Sequence, residues 1–190
     1  MPVFVVTGTS GAGKGTLERA LLKKLPELEL AVSATTRDRR EGEEDGREYW
    51  FISDEEFDSR LDAGDFLEHV EFPWGQRSGT LRSEIDRIRD GGRVPLLDLE
   101  PQGALDVKQN VPGAVTIFVE APTFAENERR LRDRATESEG EIEERLDLAR
   151  EQLEQADEFD YLVVNDDVGR ALGELAEIVP AKLSASMSRP

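Results

Sequence analysis

The stretch "VFVVTGTSGAGKGT", residues 3–16, decides how the rest of the chain is read. VFVVT is a continuous apolar run, the pattern of a strand covered on both faces. A glycine-rich loop follows, and then "LERALLKKL" (17–25) places apolar residues at helical spacing. The loop fits G-x-x-x-x-G-K, from Gly8 to Lys14. Glycines let such a backbone curl so that its N–H groups point at phosphate oxygens. The N-terminus of the next helix adds the positive end of its dipole. Gly8, Ser10, Gly11, Ala12, Gly13, Lys14, Gly15 and Thr16 are therefore the candidate triphosphate cradle, with Lys14 aimed at the β- and γ-phosphates. Gly15 stands where a Ser or Thr usually follows the lysine, and the hydroxyl comes one residue later, at Thr16. A glycine turn that binds nothing is the bland alternative; a strand before the loop and a helix after it argue against that.

Outward from this loop, strand-like and helix-like segments alternate. "LELAVS" (28–33), "EYWFI" (48–52), "DFLEHVEF" (65–72), "RVPLLDLE" (93–100), "AVTIFVE" (114–120) and "YLVVND" (161–166) read as strands. Ser53 with Glu56, Thr123 with Glu126 and Ser138 with Glu141 are capping-box signatures opening helices. "TLRSEIDRIRDGG" and "VGRALGELAEIV" read as helices, and "KLSASMSRP" (182–190) as a frayed tail. Alternation of this kind implies an α/β parallel sheet flanked by helices. Residues 33–80 break the rhythm with several strands around one helix, as an insertion with its own small sheet would.

Composition narrows the function. Lys and Arg number 24 against 42 Asp and Glu, a net charge of −18. Such a surface argues against sequence-independent nucleic-acid binding, which needs basic surface. Salt adaptation and plain solubility explain the charge equally well. The chain has no cysteine, so disulfides and thiolate metal sites are excluded. No apolar run approaches the ~18 residues of a membrane span, and the N-terminus lacks the basic start of a signal peptide. The expected location is the cytoplasm, with no membrane partner; the oligomeric state stays open.

Against the acidic background, Arg37 and Arg40 stand three residues apart, with Tyr49 downstream. Paired guanidinium groups and a phenol hydroxyl suit a phosphate. Surface arginines neutralised by Glu41, Glu43 and Glu44 remain the alternative on the residues alone. A GTPase would carry N-K-x-D, which is missing here, and "DLEP" lacks the glycine of D-x-x-G. A small-molecule kinase needs a donor loop, an acceptor pocket and mobile arginines. Asp98 ends an apolar strand, where a magnesium-organising carboxylate usually stands, acting directly or through water.

"SATTRDRREGEEDGREYWF", "FLEHVEF", "SGT", "LLDLEPQGA", "RRLRDR" and "VVND" together resemble a guanylate kinase, from about residue 3 to 180. The resemblance implies a P-loop kinase core (1–32, 81–123 and 154–190), a GMP-binding insertion (33–80) and a helical lid (124–153). It implies a GMP phosphate held by Ser33, Arg37, Arg40 and Tyr49, and guanine read by Glu68 and Thr80. Arg130, Arg134 and Arg145 become the lid arginines, and Asn165 a polar contact on the adenine side. Glu100 stands in the GMP site where many relatives have Asp. The implied reaction moves a phosphoryl group from ATP to GMP with Mg2+, held through Thr16 and Asp98. A non-catalytic binding module, or a kinase for another phosphorylated acceptor, are the rival readings. Arg77 and Ser78 stand where the family often shows two tyrosines. Ser78 is too short to replace a phosphate-binding tyrosine, which leaves Arg77 as the residue expected to compensate.

Overall fold

The computed structural model describes residues 2–72, 75–133 and 139–187. Nine strands and seven α-helices are described: β1 (Phe4–Gly8), α1 (Lys14–Lys24), β2 (Leu28–Leu30), β3 (Ala34–Thr35), β4 (Trp50–Phe51), α2 (Asp54–Asp62), β5 (Phe66–Glu71), β6 (Arg77–Leu81), α3 (Arg82–Asp90), β7 (Val94–Asp98), α4 (Pro101–Asn110), β8 (Val115–Glu120), α5 (Phe124–Asp133), α6 (Glu139–Glu154), β9 (Tyr161–Val164) and α7 (Val168–Met187).

The main sheet has five strands in the order β2-β7-β1-β8-β9, and every pairing is parallel. Alternation along β1 explains its two covered faces. Phe4 and Val6 face a core shared with Leu17 and Leu21 of α1 and Leu175 and Val179 of α7. Val3 and Val5 face the opposite core, with Ile85 and Ile88 of α3 and Val107 of α4. The chain crosses from the β7 side of β1 to the β8 side. In an open parallel sheet, ligands bind beyond the carboxyl ends of strands at such a switch point. Val6 is in register with Asp98, and Gly8 with Val119. The phosphate-type loop and Asp98 therefore leave neighbouring strands side by side.

The second sheet, β4-β3-β6-β5, is mixed, with β3 and β4 parallel and β6 antiparallel to both β3 and β5. It has its own core of Ala34, Phe57, Phe66 and Leu81, in which the Phe57 and Phe66 rings stack at 4.4 Å. A third small cluster, Leu131 with Ile142 and Leu146, joins α5 to α6.

Four expectations need correction, and the first is the helix read from Thr80, which starts at Arg82 because Thr80 and Leu81 belong to the unexpected strand β6. The strand expected over 28–33 ends at Leu30, because the Val32 N–H is taken by Glu84 Oε1 at 3.0 Å and the chain moves into the second sheet at Ala34. The tail expected to fray from Lys182 continues as α7 to Met187, despite Pro180 inside the helix. Proline removes one helical hydrogen bond, but Leu183 packs on the main core and Lys182 lies over the Tyr161 ring at 5.2 Å. Finally, α4 was not expected at all. Its opening Pro101 looks like a turn signal, yet proline is favoured at the first helical position. Two capping boxes are half-formed: Ser53 Oγ accepts from the Glu56 N–H and Thr123 Oγ1 from the Glu126 N–H, each at 3.1 Å. Their glutamates turn instead to Arg60 and to Arg129 and Arg130. The third box, at Ser138, lies outside the described residues.

Candidate active site

Two cavities meet beyond the carboxyl ends of β1 and β7. One is wrapped by the loop, with Gly8, Thr9, Ser10, Gly11, Gly13, Lys14 and Gly15 on its wall. The other is lined by Ser33, Tyr49, Glu68, Ser78, Asp98 and Gly103, among others. Lys14 and Glu100 line both.

The loop conformation needs glycine at Gly8, Gly11 and Gly13, all at positive φ, and the contacts are tightest at the first and last. Gly8 has φ 146°, and a Cβ there would lie 2.0 Å from the Val119 carbonyl oxygen. Gly13 caps α1 at φ 86°, where a Cβ would meet Asn165 Nδ2 at 2.5 Å. No acidic residue occupies the first turn of α1, so its positive end is left for an anion. Asn165, at the end of β9, is buried and donates from Nδ2 to the Ala12 carbonyl at 2.7 Å. Arg130 of α5 donates to the Asn165 carbonyl at 3.0 Å and more weakly to the Ala12 carbonyl at 3.4 Å. Both residues thus brace the loop from behind, and one of the two N–H groups of the Asn165 amide is used in that contact. Thr9 Oγ1 donates to Asn127 Oδ1 at 3.3 Å, a further buried tie between loop and α5.

Lys14 Nζ contacts Asp98 Oδ1 directly. Burial acts to lower the Lys14 pKa, but the carboxylates of Asp98, Glu18 and Glu100 outweigh it and raise the pKa. Glu18 was not singled out from the sequence. It sits four residues after Lys14, on the same face of α1, which is the signal that could have found it. It is buried, and burial first, then the neighbouring Asp98, raises its pKa.

On the acceptor side, Glu68 is 6 % exposed and its Oε1 accepts from the Thr80 N–H at 2.8 Å. Burial raises its pKa, while its contacts with Thr80 act to lower it. The Thr80 hydroxyl is buried with no hydrogen-bond partner among the described residues. Glu68 lines the cavity wall, and Thr80 is buried directly across the strand pair from it. Arg37 is paired with Glu43 at 2.8 and 3.1 Å and lies over the Tyr49 ring at 5.4 Å. The Arg40 side chain is exposed, while its N–H donates to Glu43 Oε2 at 2.8 Å. Glu43 thus organises both arginines. Gln152 of α6 donates to Glu100 Oε2 at 3.2 Å, tying that helix to the carboxylate between the cavities. Arg145 lies on an exposed turn of α6, and Arg134 falls outside the described residues.

Arg77 does not take the role expected of it. Its guanidinium bonds Asp58 Oδ1 at 2.5 Å and Asp54 Oδ1 at 2.8 Å, and lies over the Phe57 ring at 4.6 Å. Strand alternation in β6 sends Arg77 towards α2, while Ser78 stands on the cavity wall and donates to the Ala34 carbonyl at 3.1 Å.

A hard divalent cation prefers oxygen donors, and magnesium commonly takes one or two protein ligands, completing its shell with phosphates and water. The donors near the loop fit that habit. Asp98 keeps a side chain 40 % exposed, the Thr16 hydroxyl is exposed, and no group of three or more His, Cys, Asp or Glu suited to a metal occurs among the described residues.

Comparisons with known proteins point to one family. The family model described as "Guanylate kinase" matches residues 1–182. The chain is 47% identical over 177 residues to a guanylate kinase of Rubrobacter xylanophilus, covering 93% of this chain and 92% of that protein. It is 42% identical over 188 residues to one of Desulfitobacterium hafniense, covering 99% and 94%. The crystal structure of guanylate kinase from Anaplasma phagocytophilum superposes with a TM-score of 0.75 at 28% identity, over 95% of this chain and 85% of that one.

Proposed function

The chain belongs to the guanylate kinase family, and on that premise we propose how its residues divide the work of the reaction ATP + GMP ⇌ ADP + GDP. The loop Gly8–Thr16 holds the triphosphate of ATP, braced by Asn165 and Arg130. Ser33, Arg37, Arg40 and Tyr49 hold the GMP phosphate. Glu68 accepts from guanine N1–H and the exocyclic amine, while Thr80 donates to O6. Glu100, at the junction of the two cavities, belongs to the GMP side. The observation that supports this division best is that Glu68 and Tyr49 line the same cavity as Lys14.

No general base is needed, because a GMP phosphate oxygen is already anionic at neutral pH. Catalysis is then positioning plus electrostatic stabilisation of an in-line transfer. Lys14 neutralises charge on the β- and γ-phosphates. Arg134 and Arg145 meet the transferring group from residues 124–153, which serve as the lid, and Arg130 joins them on closure by exchanging its bonds to the loop carbonyls for the phosphates. Residues 33–80 close over GMP, and together the two segments exclude water, so that ATP is not idly hydrolysed. Asp98 and the Thr16 hydroxyl would hold Mg2+ directly or through water; the ion supplies charge neutralisation on the phosphates when bound. No helix among the described residues is long and apolar enough to cross a membrane, and work in the cytoplasm suits an ATP-consuming enzyme.

A panel of acceptors tests the assignment: GMP, dGMP, IMP, AMP and UMP with ATP, read by ADP release. GMP is expected to be the best ribonucleotide by orders of magnitude over AMP, because mismatched polar groups are left buried and unpaired. A preference for AMP or UMP would overturn the division of roles above.

A further inference from the structure

Gly103 lies in the first turn of α4, on the wall of the same cavity as Glu68. A glycine within a helix destabilises it relative to alanine, so its presence there needs a reason. The backbone supplies none, since Gly103 is absent from the glycines with positive φ. The surroundings supply one. A Cβ at Gly103 would stand 2.7 Å from Glu68 Oε2, 3.4 Å from Cδ and 3.8 Å from Cγ. All three of these nearest atoms belong to one carboxylate side chain. The other oxygen of that carboxylate is fixed by the Thr80 N–H at 2.8 Å.

We infer that Gly103 is a specificity-determining positioning residue: its missing side chain leaves the space in which the base-reading carboxylate of Glu68 stands. The inference rests on Glu68 reading guanine. The helix can accept an alanine, because the atoms it meets form the end of a side chain that can swing away. The Thr80 hydrogen bond then breaks or turns, and the two carboxylate oxygens no longer face N1–H and the exocyclic amine together. The fold survives, while recognition of the base does not.

The test is Gly103→Ala, alone and with Glu68→Ala, by thermal melting and by steady-state kinetics with GMP, IMP and ATP. The single variant should fold and melt cooperatively within a few degrees of the wild type, the helix gain offsetting the disturbed Glu68 hydrogen bond, with KM for ATP unchanged. KM for GMP should rise on the order of ten- to a hundredfold, as for misplaced binding groups, with kcat at saturation largely kept. Preference for GMP over IMP, which lacks the exocyclic amine, should fall. In the Glu68→Ala background the same substitution should add nothing, since the side chain it displaces is gone. An unchanged KM for GMP in Gly103→Ala overturns the inference, and so does an equal rise in both backgrounds. Should Gly103→Ala fail to fold, the double variant must fold; if it does not, the helix rather than Glu68 requires the glycine and the idea is lost. Failure of the base-reading role itself is seen separately, as a Glu68→Ala enzyme whose preference for GMP over IMP is unaltered.

Discussion

Lys14 Nζ rests on Asp98 Oδ1 at the place where the donor and acceptor cavities join, so one ammonium faces both. In that position it can follow negative charge as it moves from ATP to GMP. Lys14→Ala removes a preorganised cation from the transfer path, a loss worth roughly 10²–10³ in kcat for comparable groups. The backbone of the loop is held by Asn165 and Arg130 rather than by Lys14. The variant should therefore keep its circular dichroism spectrum and cooperative melt while ADP release collapses. Near-normal turnover would remove Lys14 from the transfer.

Arg77 separates a structural from a ligand-binding role. Its side chain is 14 % exposed and pairs with two aspartates more than 60 % exposed, at 66 % and 63 %. Exposed pairs contribute little, and the stack on Phe57 adds a modest cation–π term. Arg77→Ala should lower stability by about 1 kcal/mol and leave KM for GMP where it was. A large rise in that KM, with the melt unchanged, would restore Arg77 to the phosphate site.

The loop and the parallel core were legible because their signals are local. Residues 3–25 carry strand, glycine loop and helix in direct succession, and β1 can satisfy its apolar run only inside a sheet covered on both faces. The acceptor side was less legible. Glu68 is a polar residue in a strand, and only the β5–β6 pairing, with its register shift between Phe66 and Glu68, shows that it is buried against Thr80. The direction of Arg77 depends on strand alternation relative to α2, which the sequence does not display. Helix α4 was hidden by proline and glycine together, the first a start signal and the second a space for another side chain. Glu43, which pairs with the Arg37 guanidinium and accepts from the Arg40 N–H, was named with Glu41 and Glu44 as a neutraliser of these arginines, but nothing in the sequence chose it among the three.

Asn165 offers a test of the donor side alone. Its amide reaches from the end of β9 to the Ala12 carbonyl at 2.7 Å, and it is 3 % exposed. Asn165→Ala leaves that carbonyl without this partner and lets the loop drift. Loss of a buried hydrogen bond with one partner left behind costs about 1–3 kcal/mol. KM for ATP should rise about tenfold or more, since small misplacements are amplified in such sites, while KM for GMP stays constant. Isothermal titration with a non-hydrolysable ATP analogue gives the same comparison without turnover. A change confined to GMP would contradict the bracing role.

Glu84 carries the clearest pH dependence of stability. It is 4 % exposed, and its carboxylate accepts from the Val32 N–H at 3.0 Å and from Arg87 at 2.7 and 3.0 Å. Burial by itself would raise its pKa, but these partners outweigh burial and hold it below the ordinary value of 4.5. Between the depressed folded-state pKa and 4.5, the unfolded chain binds more protons than the folded one. The stabilisation is therefore complete above 4.5 and is lost as the pH falls through the folded-state value. Glu84→Gln keeps the shape and removes the charge, so it should cost about 1.5–3 kcal/mol at pH 7, the range for hydrogen bonds to a charged group. Urea denaturation of both proteins from pH 7 down to pH 3 should show the two stability curves converging on the acid side of 4.5. Curves that remain parallel to pH 3 would show that the Glu84 charge is not what fastens α3 to the crossing between the two sheets.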